Sequence, residues 1–249
     1  MIVGNWKMNP ATLDEAKKIG RKTRNLASKL IQTEVVVCPP FPFVSAAGSR
    51  KNPSNYFLGA QSVSFVSGGP HTGEVSVSML KSLGTKYVIV GHSEERLAGD
   101  GDEIVAKRAG AVVEAGLTPI LCVGEKTRDE NGSHFDFIRD QIKGSLANIS
   151  KLHSRDIVLA YEPVWAIGAK EAMQPADVYE MSLFVKKVFA DIFGTDSGTK
   201  VTVLYGGSVN FRNAADIISI GKVDGLLVGR ESVNIPGFSE LLKTVDKVR

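Results

Sequence analysis

The segment Ile157-Val158-Leu159-Ala160-Tyr161-Glu162-Pro163 holds the pattern from which the fold of this chain can be predicted. Five largely apolar residues, without alternating polar ones, come before a single carboxylate and a proline. A short continuous apolar run of this kind is typical of a strand that is buried on both faces. The acidic residue therefore stands where such a strand would end and emerge from the core.

Seven similar runs recur along the 249 residues: Ile2–Trp6, Glu34–Cys38, Tyr56–Ala60, Tyr87–Val90, Pro119–Val123, Val201–Tyr205 and Leu226–Val228. Between most of them the apolar residues follow helical spacing, as in Leu13–Ile31, Glu103–Ala115 and Asp177–Phe193. The Pro-rich segment 39–42 after the second run predicts a helix only weakly. Repeated strand-then-helix units predict a closed (β/α)8 barrel that occupies residues 1–249 as a single domain.

A doubly wound open sheet is the alternative architecture. Its dinucleotide-binding form carries a Gly-x-Gly-x-x-Gly turn after the first strand, and the residues after Ile2–Trp6 do not contain that pattern. The barrel is therefore favoured.

Composition limits the classes of partner and the compartment. Lys and Arg total 30 against 27 Asp and Glu, for a net charge of +3, which is too balanced to indicate nucleic-acid binding. Cys38 and Cys122 lie inside apolar runs and are interpreted as buried thiols in a reducing compartment. The first residues lack the pattern of a secretory signal, and no apolar stretch approaches the ~18 residues of a membrane span. We therefore expect a cytoplasmic protein with no membrane partner.

Several predicted strands are followed directly by chemically capable side chains. Glu162, with Trp165 and Ile167 behind it, would be partly desolvated and able to act as a base, although a solvated loop carboxylate is the alternative. His92 follows the fourth run at the start of a helical pattern, which disfavours the imidazolium; a purely structural histidine is the alternative. Lys7 ends the first run and offers a point charge for an oxyanion, unless it is an ordinary surface lysine.

Glycine-rich turns and one long loop complete the pattern. Gly206-Gly207-Ser208 and Gly229 follow the last two strands, where barrels often bind phosphate through backbone amides, or where glycines serve simple turns. Residues 163–169 are apolar for a loop, as the underside of a lid would be. The segment Gln61–Glu74 is long for a strand-to-helix connection, and it is interpreted as an interface arm or a surface excursion.

Four segments together closely resemble the triosephosphate isomerase family, in family order and along essentially the whole chain: 4–9 (GNWKMN), 91–94 (GHSE), 160–168 (AYEPVWAIG) and 205–210 (YGGSVN). The resemblance implies a TIM barrel that interconverts dihydroxyacetone phosphate and D-glyceraldehyde 3-phosphate without a cofactor or metal, in glycolysis and gluconeogenesis. It also implies a homodimer joined through the loop 61–74.

The resemblance also implies individual roles. Glu162 would move the proton between two substrate carbons, and His92 would polarise the carbonyl as a neutral ring. Asn5 and Lys7 would stabilise the enediolate and the anionic substrate, and Glu94 would position Lys7.

For the substrate phosphate, the resemblance implies binding by amides of Gly168, Ser208, Gly229 and Arg230, beneath a lid of residues 163–171. The chain departs from the family pattern at three places. Arg230 stands where a second glycine is usual, the lid ends in Ala169-Lys170-Glu171, and Glu95 replaces an arginine near the subunit interface. We expect the side chain of Arg230 to point outward, with Glu231 as its charge partner.

Two other functions remain open from the sequence. Another phosphate-binding barrel, such as a phosphosugar lyase or an indole-forming enzyme, would need a Schiff-base lysine inside a strand or a different acid–base set. A non-catalytic phosphate-binding or assembly protein on the same scaffold is the other, and Arg230 is the residue that favours it.

Overall fold

The computed structural model describes residues 1–49, 51–169 and 172–248 and shows a closed barrel of parallel strands in chain order, with β1 paired to β8. The strands are β1 Ile2–Asn5, β2 Val35–Cys38, β3 Tyr56–Ala60, β4 Thr85–Val90, β5 Thr118–Val123, β6 Val158–Tyr161, β7 Thr202–Tyr205 and β8 Gly225–Val228. Each lies close to its predicted run; the largest difference is in β4, which begins at Thr85 instead of Tyr87. The closed order confirms the (β/α)8 barrel and excludes the open sheet.

The helices lie outside the barrel: α1 Leu13–Ala27, α2 Val44–Ala47, α3 Val77–Ser82, α4 Ser93–Leu97, α5 Asp102–Glu114, α6 Ser133–Ser145, α7 Pro175–Phe193, α8 Thr195–Lys200, α9 Ala214–Ser219 and α10 Ile235–Val248. Short 3-10 turns occupy Phe41–Phe43, Lys151–Asp156, Val164–Ala166 and Arg230–Val233. Helix α7 begins before the predicted Asp177 because a proline fits the first helical position. None of these described helices has the length and apolar character that a membrane crossing requires.

The predicted helix Leu13–Ile31 is wrong at its C-terminal end. Helix α1 stops at Ala27, and the next residues form tight turns in which Lys29 and Leu30 donate to carbonyls three residues back. The backbone N–H of Ile31 is instead bound by the carboxylate of Asp246 in α10, at 3.0 Å. The partner of this N–H lies 215 positions away, so the local pattern could not predict that Ile31 stands outside the helix.

The barrel contains two apolar cores. One fills its interior with residues such as Val3, Ile89, Ile120 and Leu204, and the other lies between the strands and the helices. Cys38 and Cys122 are unpaired and belong to the interior core, which confirms the prediction of buried thiols.

The inward alternation of the strands positions the site. The interior core includes Val3, Ala160, Leu204 and Leu227. Two positions further along the same four segments come Asn5, Glu162, Gly206 and Gly229, in that order. Because successive side chains of a strand point to opposite faces, these four residues continue the inward-facing rows at the C-terminal mouth of the barrel.

Candidate active site

A cavity of about 620 Å³ opens at the C-terminal mouth of the barrel. The site residues predicted from the sequence all line it: Asn5, Lys7, His92, Glu94, Glu162, Gly168, Ser208, Gly229 and Arg230. Ends of strands from opposite sides of the barrel therefore meet around one space, large enough for a small phosphorylated molecule.

Glu162 directly follows β6 and is buried, with 3% of its surface exposed. Its Oε1 lies 3.4 Å from Nε2 of His92, and among the described residues its buried Oε2 has no hydrogen-bond partner. A carboxylate oxygen without a donor in a desolvated place can accept a proton from a bound ligand. Burial and the adjacent Glu162 carboxylate raise the pKa of the Cys122 thiol, so this thiol remains protonated beside Glu162.

The glycine at position 206 gives Glu162 its space. An added Cβ there would lie 2.5 Å from Cγ of Glu162 and 3.2 Å from its Oε1. Only glycine permits such a close approach of the β7 end to the carboxylate. Gly206 thus does more than make a turn.

His92 caps the short helix α4, and its neighbours set its orientation. Gly91, with φ of 67°, makes the turn out of β4, and its carbonyl accepts a hydrogen bond from Nε of Arg96 at 2.8 Å. Nδ1 of His92 accepts from the backbone N–H of Glu94 at 3.2 Å. Since Nδ1 is the acceptor, the proton of the neutral ring resides on Nε2, which faces Glu162. A neutral donor beside a carboxylate is suited to polarising a carbonyl oxygen.

Lys7 is held by three contacts in an uncommon backbone conformation. Its φ is 52°, which is rare for a residue with a side chain. Its N–H donates to Oδ1 of Asn5 at 3.0 Å, and its carbonyl accepts from Nε2 of Gln61 at 2.8 Å. Nζ forms an ion pair of 2.6 Å with Glu94. Burial raises the pKa of Glu94, but the hydrogen bond and charge of Lys7 outweigh it and leave that pKa below its usual value.

The residues predicted to bind a phosphate also line the cavity. Gly168, Ser208, Gly229 and Arg230 face it, and Oγ of Ser208 donates to the carbonyl of Ala169 at 2.9 Å. The predicted partner of Arg230 is wrong: Glu231 accepts from Nδ2 of Asn234 at 3.2 Å and forms no ion pair with Arg230 among the described contacts.

The lid segment is fastened to a buried carboxylate that the sequence did not indicate. Glu125, 1% exposed, accepts from Nε1 of Trp165 in the lid at 2.9 Å and from the hydroxyl of Tyr161 at 3.0 Å. Arg128 completes the cluster through an ion pair of 2.8 Å with Glu125. Burial, followed by the charge of Glu125, raises the pKa of Tyr161, so the phenol remains a donor.

Beyond the lid, the backbone N–H of Met173 donates to the hydroxyl of Tyr205 at 3.2 Å. Both sides of the apolar segment 163–169 are thus bound to strand ends of the barrel. Of the hinge predicted at Ala169-Lys170-Glu171, Lys170 and Glu171 lie outside the described residues.

The loop Gln61–Glu74 is anchored at its base and exposed at its tip. Oε2 of Glu95 accepts from Oγ of Ser62 at 2.9 Å and pairs with Nη1 of Arg108 at 3.0 Å. Thr72 and Gly73 at the tip are exposed. The Glu95 carboxylate is therefore bound by two residues of the same chain, at the base of the loop.

Within the described ranges, no group of three or more His, Cys, Asp or Glu residues is arranged to hold a metal ion. The residues that line the cavity offer a base in Glu162, a neutral donor in His92 and a cation in Lys7, together with backbone amides. Such a set can move protons on a small anion while neutralising the charge that develops.

Comparison with known proteins identifies the family. The family model described as triosephosphate isomerase matches residues 1–245. Relatives called triosephosphate isomerase include that of Thermus thermophilus, 40% identical over 245 residues that cover 98% of this chain and 97% of the relative. That of Endomicrobium trichonymphae is 38% identical over 245 residues with the same coverage, and that of Aquifex aeolicus is 38% identical over 97% of this chain and 98% of its own. The chain therefore belongs to the triosephosphate isomerase family.

Proposed function

We propose that this chain interconverts dihydroxyacetone phosphate and D-glyceraldehyde 3-phosphate, the triose phosphate step of glycolysis and gluconeogenesis. The observation that carries the proposal is the pair formed by Glu162 and His92, 3.4 Å apart, with Oε2 of Glu162 buried and unpartnered among the described residues. Family membership supports the substrate assignment.

The reaction requires only proton movements. Glu162 removes a proton from C1 of dihydroxyacetone phosphate, and the C–H electrons form the C1–C2 double bond of an enediolate. The charge that moves to the carbonyl oxygen on C2 is stabilised by N–H of His92 and by Lys7. The proton of the C1 hydroxyl moves to the C2 oxygen, so the negative charge passes to the C1 oxygen. As the C1 oxygen forms the aldehyde C=O bond, the electrons of the C1–C2 double bond take the proton from Glu162 and form the C2–H bond, so the substrate is isomerised without a net gain or loss of atoms.

Asn5 and Lys7 serve the negative charge in this scheme. Asn5 fixes the backbone N–H of Lys7, and Glu94 fixes its ammonium group, so the cation is ordered before the substrate arrives. Ordered charges stabilise an enediolate without reorganising during the reaction. Backbone amides of Gly168, Ser208, Gly229 and Arg230 would bind the phosphate, and the lid would exclude water from the enediolate.

We further propose a homodimer, in the cytoplasm, in which the exposed tip Thr72-Gly73 of the loop 61–74 contacts a second subunit. The support is the length of the loop, its anchored base and its exposed tip. No observation favours the lyase or the indole-forming alternative. The lysine that lines the described cavity, Lys7, lies beyond the end of β1 and is paired with Glu94.

The deciding test is a coupled assay with purified protein and glyceraldehyde 3-phosphate. Glu162→Gln keeps the shape of the side chain and removes the base, so kcat should fall by about 10²–10⁴-fold or more with the unfolding midpoint little changed. Glu180→Gln, at an exposed position of α7, is the matched control and should retain full activity. A Glu162→Gln enzyme with near-native kcat would contradict the assignment of Glu162 as the base. A wild-type protein without isomerase activity would favour the non-catalytic alternative.

A further inference from the structure

Arg230 lies at the rim of the cavity, just after the last strand of the barrel. It follows Gly229 directly after β8, begins the 3-10 turn Arg230–Val233 and lines the cavity with an exposed side chain. Its φ is not positive, so the backbone at this position does not require glycine. The arginine is therefore accommodated without strain at the rim of the substrate site.

Within residues 1–49, 51–169 and 172–248, the Arg230 guanidinium has no hydrogen-bond or ion-pair partner. Glu231, the adjacent carboxylate, turns toward α10: it accepts from Asn234, and its Oε1 lies where a side chain at Gly237 would begin. The other cation lining the described part of the cavity, Lys7, is engaged by Glu94 at 2.6 Å. Among the described lining residues, Arg230 is thus the cation that has no carboxylate partner.

The charged side chains that line the cavity explain why an unpaired guanidinium matters for binding an anion. Three carboxylates line it, Glu94, Glu162 and Glu231, against the two cations Lys7 and Arg230. A phosphate monoester carries about −1.5 to −2 charges at neutral pH. Without Arg230 the charged side chains would oppose such a ligand more strongly, and backbone amides alone would have to compensate.

We propose that the guanidinium of Arg230 binds the phosphate of the substrate directly. A guanidinium can donate two parallel hydrogen bonds to a phosphate, an interaction with both charge and geometry. The inference rests on the proposed isomerase function and adds a side-chain contact to the amides described above. The phosphate does not react, but binding energy from a non-reacting part of a substrate can act on KM and on kcat, so kcat/KM is the kinetic quantity that the contact must change.

The experiment compares Arg230→Gln, Arg230→Lys and the control Lys187→Gln, which removes one positive charge from an exposed position of α7. KM and kcat are measured at low and high salt, and the Kd of inorganic phosphate is measured by calorimetry. Arg230→Gln should raise KM and the phosphate Kd by the same factor, about three- to tenfold at low salt. Its kcat/KM should fall by at least the same factor, and its KM should depend less on salt. Arg230→Lys should recover part of the loss, and Lys187→Gln should behave as wild type.

Three results would overturn the inference: an unchanged or lowered phosphate Kd in Arg230→Gln, an Arg230→Lys variant no better than Arg230→Gln, or an equal loss in Lys187→Gln. The phosphate measurement does not depend on turnover. A wild-type protein that binds phosphate through Arg230 without isomerising triose phosphates would contradict the proposed function alone. An active isomerase whose Kd for phosphate is the same with and without the Arg230 side chain would contradict this inference alone.

Discussion

Replacing Gly206 by alanine should displace the catalytic base without unfolding the protein. The new Cβ would lie 2.5 Å from Cγ of Glu162 and 3.3 Å from its Cδ. Carbon atoms attract best at about 3.5–4.0 Å, so the carboxylate must retreat by roughly 1 Å. The backbone cannot yield instead, because N–H of Gly206 is bound to the carbonyl of Tyr161 at 2.8 Å and Glu162 N–H to that of Val123 at 2.7 Å.

The expected loss follows from this displacement. A misplacement of about 1 Å at a reacting group can cost around 10²-fold in rate, which corresponds to about 2.7 kcal/mol of activation free energy. The coupled isomerase assay should therefore show kcat reduced by about two orders of magnitude. The thermal unfolding midpoint should change far less than in a core cavity variant, since no apolar contact is removed.

The matched control is Gly110→Ala in α5. A Cβ at this position would lie 3.4 Å from Cβ of Asn148, close to ordinary contact, and alanine is the better helix former. This variant should be fully active and as stable as the wild type or slightly more so. If Gly206→Ala keeps kcat within about twofold of wild type, the reasoning that Gly206 makes room for Glu162 is refuted.

Three further results are expected. NMR of His92 should show the proton of the neutral ring on Nε2, because Nδ1 accepts from the backbone N–H of Glu94; a neutral ring with its proton on Nδ1 would contradict this. Sedimentation should give a dimer at micromolar concentration and a weaker one for Thr72→Arg, whereas a stable and fully active wild-type monomer would remove the proposed arm contact. Trp165→Phe deletes the hydrogen bond from the lid to Glu125, worth about 0.5–1.5 kcal/mol. Its kcat/KM should fall several-fold, and an unchanged value would show that the lid does not depend on this bond.

The sequence alone was sufficient to predict the barrel and where its site lies. Runs such as Ile157–Tyr161 are continuous in hydrophobicity because strands buried on both faces have no solvent side, and that signal is local. Since parallel strands bring their C-termini to one mouth, residues that follow different runs, such as Lys7, His92 and Glu162, could be expected to meet.

Only the tertiary structure decided which side chains hold the site in place. Gln61 donates a hydrogen bond to the carbonyl of Lys7, 54 positions away in the chain. Glu125 accepts hydrogen bonds from the hydroxyl of Tyr161 at the end of β6 and from the indole of Trp165 in the lid. No periodicity marks these partners, because a hydrogen bond depends on the position of two groups in space and not on their spacing in sequence. The separation of Glu231 from Arg230 has the same cause: adjacency in the chain suggested an ion pair, and the packing of the turn against α10 determined otherwise.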